Sequence, residues 1–257
     1  MKFVDEFFIG LQFLTRLSIV KQTIWTEELF GGSVKFFPLI GAVLGIISGS
    51  IALIFFALDL PAKFLLAGIL TILPTILTGG IHSDGFMDTC DGIFSGRDRE
   101  KMLEIMKDSR TGSMAVSAFV CISIINFSLI LDLISMQNFL IAAVFSTPII
   151  SRFMMVCTIG LFPYARKSGM GYAFAKYTTR KTIFIAMIEL ILLMIPSLIF
   201  LHTIKIFLPI VLAGIFTIWF GKYAVKKLGG VTGDVYGFVL TMCESISLLG
   251  FLIGGCL

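Results

Sequence analysis

The stretch Gly79-Gly80-Ile81-His82-Ser83-Asp84-Gly85-Phe86-Met87-Asp88-Thr89-Cys90-Asp91-Gly92 decides how this chain is read. It opens a polar segment, Gly79 to Gly112, set between apolar stretches long enough to cross a bilayer. Only 14% of the chain is charged, yet seven of its sixteen acids fall inside that segment. Asp84, Asp88 and Asp91 follow helical spacing. At about 100° per residue they point within roughly 60° of one another. Carboxylates crowded on one face repel unless a cation sits between them, and the usual cation is a divalent metal. A solvated loop explains acids in general. It does not explain three on one face, interleaved with glycines and almost free of compensating bases until Arg97. The segment predicts a metal–phosphate site in a polar loop at the membrane surface.

Outward from this segment the chain is apolar. Its 257 residues are 57% hydrophobic, and mean hydropathy is +1.01. A soluble domain is about 45–50% apolar and 25% charged, so lipid is part of the solvent. Uncharged runs predict seven spans, near Phe36–Leu58, Phe64–Thr78, Met114–Leu131, Phe139–Leu161, Thr182–Leu201, Ile206–Phe220 and Tyr236–Leu257. The expected fold is all-α: one polytopic integral membrane helix bundle over residues 1–257, with no separate soluble domain. Phe3, Phe7, Leu11, Leu14 and Leu17 recur at helical spacing before the first span. They fit an interfacial helix lying on the membrane, or a short helix packed on the spans. Met1 to Val20 does not read as a cleavable signal, because Asp5 and Glu6 interrupt it.

Basic residues orient the bundle. They gather before the first span and in alternate loops, with only Lys63 and Lys205 in the opposite loops. The positive-inside rule then places the N-terminus and every polar motif in the cytoplasm, on an inner membrane in a bacterial setting. Net charge is +4, and no basic run with interleaved aromatics points to nucleic acid. The five cysteines are scattered without a CxxC pair, so no disulfide framework is expected. His82 and Cys90 could ligate zinc, but the hard oxygens beside them suit magnesium better.

Other positions carry candidate chemistry. Asp98 to Lys107 reads as an amphipathic helix, and Arg97, Arg99, Lys107 and Arg110 around it are candidates for phosphate oxygens. Gly229-Gly230-Val231-Thr232-Gly233-Asp234 precedes the last span. There Gly230 and Gly233 allow close backbone approach, and Thr232 or Asp234 can cap a helix whose N-terminus suits an anion. Glu244 lies inside that span, and Arg152 inside the fourth. An intramembrane charge predicts a function and a partner, either an opposite charge or a substrate phosphate. Pro163-Tyr164-Ala165-Arg166 and Gly169-Met170-Gly171-Tyr172 form a loop that could stack a ring; an ordinary cytoplasmic connection explains it as well.

The run GGIHSDGFMDTCDGIFSGRDREKMLEIMKDSRTGS resembles the signature of the cobalamin synthase family, adenosylcobinamide-GDP ribazoletransferase. GGVTGDVYG, FFPLIGAVLG, FLTRL and the PYAR–GMG loop also resemble that family, and Phe238 departs from it where a small residue is expected. The resemblance implies an integral membrane enzyme that uses Mg²⁺. It implies joining of adenosylcobinamide-GDP with α-ribazole, or its 5′-phosphate, to give adenosylcobalamin, or its phosphate, and GMP. On this reading Asp84, Asp88 and Asp91 hold magnesium on the diphosphate, and one of them or His82 accepts the hydroxyl proton. Asp234 completes the site, with Arg166 and the glycine turn against phosphate or nucleoside. Homo-oligomerisation stays open. Other transferases with Asp-rich metal motifs, such as CDP-alcohol phosphotransferases and aromatic prenyltransferases, are the alternatives, and a secondary transporter is the third.

Overall fold

The computed structural model describes residues 2–22 and 25–257. Among these the chain is an all-α membrane bundle of twelve α-helices with no strand. In lipid every backbone group must be satisfied within its own segment, so apolar runs fold as helices. The helices are α1 Lys2–Leu14, α2 Glu27–Gly32, α3 Phe37–Ala57, α4 Lys63–Thr78, α5 Ile81–Phe94, α6 Arg99–Ile105, α7 Ser113–Ile134, α8 Gln137–Leu161, α9 Met170–Tyr177, α10 Arg180–Leu201, α11 Leu208–Leu228 and α12 Gly233–Cys256. Six helical segments are long and apolar enough to cross a membrane; α4 and α5, bent by 93° at Gly79-Gly80, make a seventh if counted as one.

α8 and α12 form the centre, and α3 lies against α8. Gly41 and Gly45 make the α3–α8 contact possible: a Cβ there would stand 2.4 Å from the Pro148 carbonyl oxygen and 2.2 Å from that of Phe145. Small residues let transmembrane helices approach to backbone contact in this way. Phe238, the departure from the family pattern, stacks on Phe86 at 5.2 Å and on Phe220 at 4.3 Å. The large ring fills the junction of α5, α11 and α12.

Two expectations change. The polar segment is not a loop in its first part: Ile81–Phe94 is helical and lies along α12. Its three acids and glycines read as a loop because the apolar partner surface comes from the far end of the chain. The sixth span also runs further, to Leu228, so Lys222, Lys226 and Lys227 ride on a helix rather than a loop. Lys226 and Lys227 fall in its last turn, where cations favour the helix dipole. The helices at the other predicted spans match to within a turn, although α4, at the second, is long enough to cross only if counted together with α5. α1 is a helix that buries Ile9, Leu11 and Leu14 while Phe3 and Val4 stay exposed.

The intramembrane charges find each other. Arg152 is fully buried and its NH1 donates to Glu244 Oε1 at 2.5 Å. Ser48, Thr147, Thr241 and His82 line the small chamber around them. Glu189 accepts from the Leu39 amide at 3.3 Å, at the start of α3. Removing one member of a buried pair strands the other charge and costs about 3–5 kcal/mol. Arg152→Met is therefore expected to lower the thermal midpoint in detergent sharply, and Arg152→Met/Glu244→Gln to regain most of the loss.

Candidate active site

Three segments distant in sequence converge at one end of the bundle. The first is α5. Gly79 and Gly80 both adopt positive φ, +63° and +79°, and turn the chain from α4 into α5. The Arg16 guanidinium packs over Gly79, and the Arg16 amide donates to the Leu77 carbonyl at 2.7 Å. The second segment is Pro163 to Gly171, and the third is Gly229 to Gly237. They join in a short parallel bridge between Tyr164 and Val231. The Ala165 amide donates to Val231 O and the Val231 amide to Pro163 O, both at 2.8 Å. Gly230 is required there, because a Cβ would stand 2.5 Å from Pro163 O.

α5 crosses α12 at two glycines. A Cβ on Gly85 would meet Asp234 O at 2.9 Å, and one on Gly237 would meet His82 O at 2.9 Å. This close crossing brings Asp84 and Asp88 beside Asp234. Asp88 lies within electrostatic reach of Asp84, Asp234 and Asp91, with Arg166 as the opposing base. Arg166 pairs with Asp234 at 3.0 Å. Thr232 caps α12, its hydroxyl oxygen accepting from the Val235 amide at 3.3 Å while its hydroxyl donates to Asp234 Oδ2 at 3.2 Å. The Asp234 carboxylate is thus aimed by its own cap and by Arg166.

A cleft of about 340 Å³ opens above this crossing. His82, Asp84, Lys107, Arg166, Gly233 and Asp234 supply its polar lining. Phe13, Leu14, Met155, Tyr164, Met170, Phe174 and Tyr236 supply the apolar lining. Burial pushes the Tyr164 phenol above its ordinary value, against the pull of Arg166, so it remains a neutral hydrogen-bonding group. His82 faces both this cleft and the chamber that holds Arg152 and Glu244.

The remaining candidates lie elsewhere. Both oxygens of Asp91 are taken: Oδ2 accepts from the Gly112 amide at 2.6 Å and Oδ1 from the Ala115 amide at 2.8 Å. These are orphan donors at the start of α7, and a carboxylate there satisfies them and favours the helix dipole. Arg99 Nε donates to Leu228 O at 2.8 Å, closing the end of α11 beside Gly229. Arg110 pairs with Asp108 in solvent, and Arg97 is exposed. Arg152 and Glu244 line the chamber rather than the cleft. Among the described residues no three His, Cys, Asp or Glu side chains are close enough to hold a metal ion as they stand. The apolar wall was missed in the sequence, because Phe13, Met155 and Phe174 look like ordinary core residues of their helices.

The placement of Asp91 separates stability from chemistry. Asp91→Ala removes two charge-assisted bonds to backbone amides and is expected to cost about 2 kcal/mol. Asp88→Ala is expected to cost far less, since Asp88 repels its neighbours. Unfolding midpoints of the two variants in detergent measure the contrast; a larger loss for Asp88→Ala would reverse the assignment.

A family model described as cobalamin-5-phosphate synthase matches residues 6–252. A protein of Clostridioides difficile named adenosylcobinamide-GDP ribazoletransferase is 37% identical over 252 residues, covering 96% of each chain. Its namesake from Desulfitobacterium hafniense is 36% identical over 253 residues and 97% of each chain. That from Klebsiella pneumoniae is 34% identical over 260 residues, 97% of this chain and 100% of the relative. No solved structure matches. The match spans all three segments of the cleft, and this chain belongs to the cobalamin-5-phosphate synthase family.

Proposed function

We propose that this chain joins adenosylcobinamide-GDP to α-ribazole, or to its 5′-phosphate, and releases GMP. The supporting observation is the convergence of Asp84, Asp234 and Arg166 on one cleft at the crossing of α5 and α12, with Asp88 within electrostatic reach of both acids. In this reaction a ribose hydroxyl that both acceptors carry, and so not the 5′ one, forms a new P–O bond at the corrinoid-side phosphorus of the diphosphate. The P–O bond to GMP breaks, GMP leaves as the anion, and the hydroxyl proton passes to a base. Such a displacement needs alignment and charge neutralisation more than covalent help.

The residues match those needs. Arg166 and Lys107 offer cationic donors to diphosphate oxygens, and the planar fork of an arginine suits phosphate. The start of α12 presents Gly233 and neighbouring amides, a helix N-terminus that favours anions. His82 and Asp84 are both at the cleft and are the candidates to take the proton. The chemistry of the donors suits a hard cation, since three carboxylates share one arginine, but they would have to draw together on the ion, because as they stand no three among the described residues are close enough to hold it. Asp84, Asp88 and Asp234 would hold Mg²⁺, and Asp91 would keep its place at the start of α7. Bound there, the metal would offset charge on the diphosphate.

The membrane setting follows the same lines. The site end of the bundle carries nearly all the bases, and the opposite end only Lys63 and Lys205. We place the site in the cytoplasm at an inner membrane. The exposed Phe3 and Val4 of α1 would rest on the bilayer. The test is an assay in liposomes with adenosylcobinamide-GDP and either acceptor. Equimolar cobalamin product and GMP, lost in EDTA, support the reading. Folded protein that yields no product from either acceptor rejects it.

A further inference from the structure

The polar and apolar linings of the cleft call for different parts of a ligand. The charged groups suit a diphosphate and a ribose hydroxyl. The apolar wall has no use in that chemistry, yet it is built with care. Phe174 is braced by Phe30, stacked at 4.4 Å, and by Phe13 and Phe37, each at 5.4 Å edge-on. The Tyr164 ring lies 6.1 Å from Tyr236 and 6.0 Å from Tyr172. Tyr236 is 1% exposed, and among the described residues its hydroxyl has no hydrogen-bond partner. A buried hydroxyl without a partner is costly, and such groups in native proteins call for an explanation. Its ionisable neighbour is Tyr164, not the acids of the cleft.

We propose that this wall is the subsite for the base of the acceptor nucleoside, with the Tyr236 hydroxyl donating to its unsubstituted ring nitrogen. The inference rests on the ribazole-transfer reading given above. Ribazole carries dimethylbenzimidazole, a flat ring with two methyl groups, one nitrogen bound to ribose and one free acceptor nitrogen. A wall of phenylalanine, methionine and tyrosine offers that ring apolar contact, and the orphan Tyr236 hydroxyl among these rings matches its free acceptor, while the cleft's other groups without a hydrogen-bond partner, on His82 and Arg166, belong to its charged lining. The guanine of the donor fits worse. Its carbonyl, amino group and ring nitrogens would be stranded against side chains that cannot satisfy them. A corrin ring exceeds a cleft of about 340 Å³, whereas a nucleoside suits it. Seating the base on this wall brings the attached ribose into the cleft that Asp84 and Asp234 also line, the position the attacking hydroxyl needs.

The test compares ribazole with the analogue in which C–H replaces the free ring nitrogen. For the wild-type protein the analogue is expected to raise the acceptor KM about tenfold, the value of one hydrogen bond. Tyr236→Phe is expected to raise the ribazole KM by about the same factor, leave the donor KM unchanged, and show no further penalty with the analogue. Equal penalties for the analogue in both proteins, or an unchanged ribazole KM in Tyr236→Phe, would overturn the proposal. Met170→Trp provides a second variant at an exposed position of the same cleft. It should raise the acceptor KM and spare the donor KM; the reverse pattern would place the donor on this wall. Absence of product from wild-type protein with either acceptor would instead remove the transfer reading itself.

Discussion

Asp88→Asn is expected to lower kcat by about 10³-fold or more while the protein stays folded. Asp88 is within electrostatic reach of Asp84 and Asp234, in a site that on the proposed reading must neutralise a diphosphate. If Asp88 is the hard oxygen ligand proposed above, losing it removes several kcal/mol of charge stabilisation, and each 1.36 kcal/mol is tenfold in rate. Stability should move the other way. In metal-free protein the three carboxylates repel, so neutralising one relieves them. The unfolding midpoint in EDTA should hold or rise slightly. Activity within tenfold of wild type would remove Asp88 from the chemistry, and a large fall in the midpoint would make it a structural residue.

Gly85→Ala is expected to cost about 100-fold in activity. The added Cβ would stand 2.9 Å from the Asp234 carbonyl oxygen and 3.0 Å from its Cα. Both are backbone atoms, so α5 and α12 must part. Alanine gains about 1 kcal/mol of helix propensity over glycine, and overpacking costs about 1–3 kcal/mol. The net effect on stability is therefore small. The displacement falls between Asp84 and Asp234, where an error near 1 Å can cost about 100-fold. Steady-state rates beside unfolding midpoints check this. An active Gly85→Ala enzyme would show that the crossing need not be close.

The spans were legible in the sequence because lipid forces apolar runs into helices, and α3, α7, α8 and α10 follow their runs closely. α5 was not, although the spacing of Asp84, Asp88 and Asp91 was. A helix with three acids and two glycines has no apolar face of its own strong enough to announce it. Its apolar partner is α12, more than a hundred residues away in sequence. Arg152 and Glu244 were each visible as intramembrane charges, but not as each other's partner across ninety-two residues. The pairing of the PYAR loop with the glycine turn was invisible for the same reason: a single parallel bridge leaves no periodic signal. Asp91 shows the limit of spacing as evidence. It shares the face of Asp84 and Asp88, yet the amides of Gly112 and Ala115 claim it. Asp234 lies outside any such pattern, and the glycine crossing alone brings it to the acids.

The central claim is that Asp84, Asp88 and Asp234, drawn from opposite ends of the chain, form one cation site. Mn²⁺ binding to the purified protein, followed by electron paramagnetic resonance with and without adenosylcobinamide-GDP, tests it without reliance on turnover. The account predicts that Asp84→Asn and Asp234→Asn each weaken Mn²⁺ binding by more than about tenfold, and that folded Asp91→Asn binds close to wild type. Wild-type binding that survives Asp234→Asn and fails in Asp91→Asn would contradict it, returning the cation to the Asp84, Asp88 and Asp91 face.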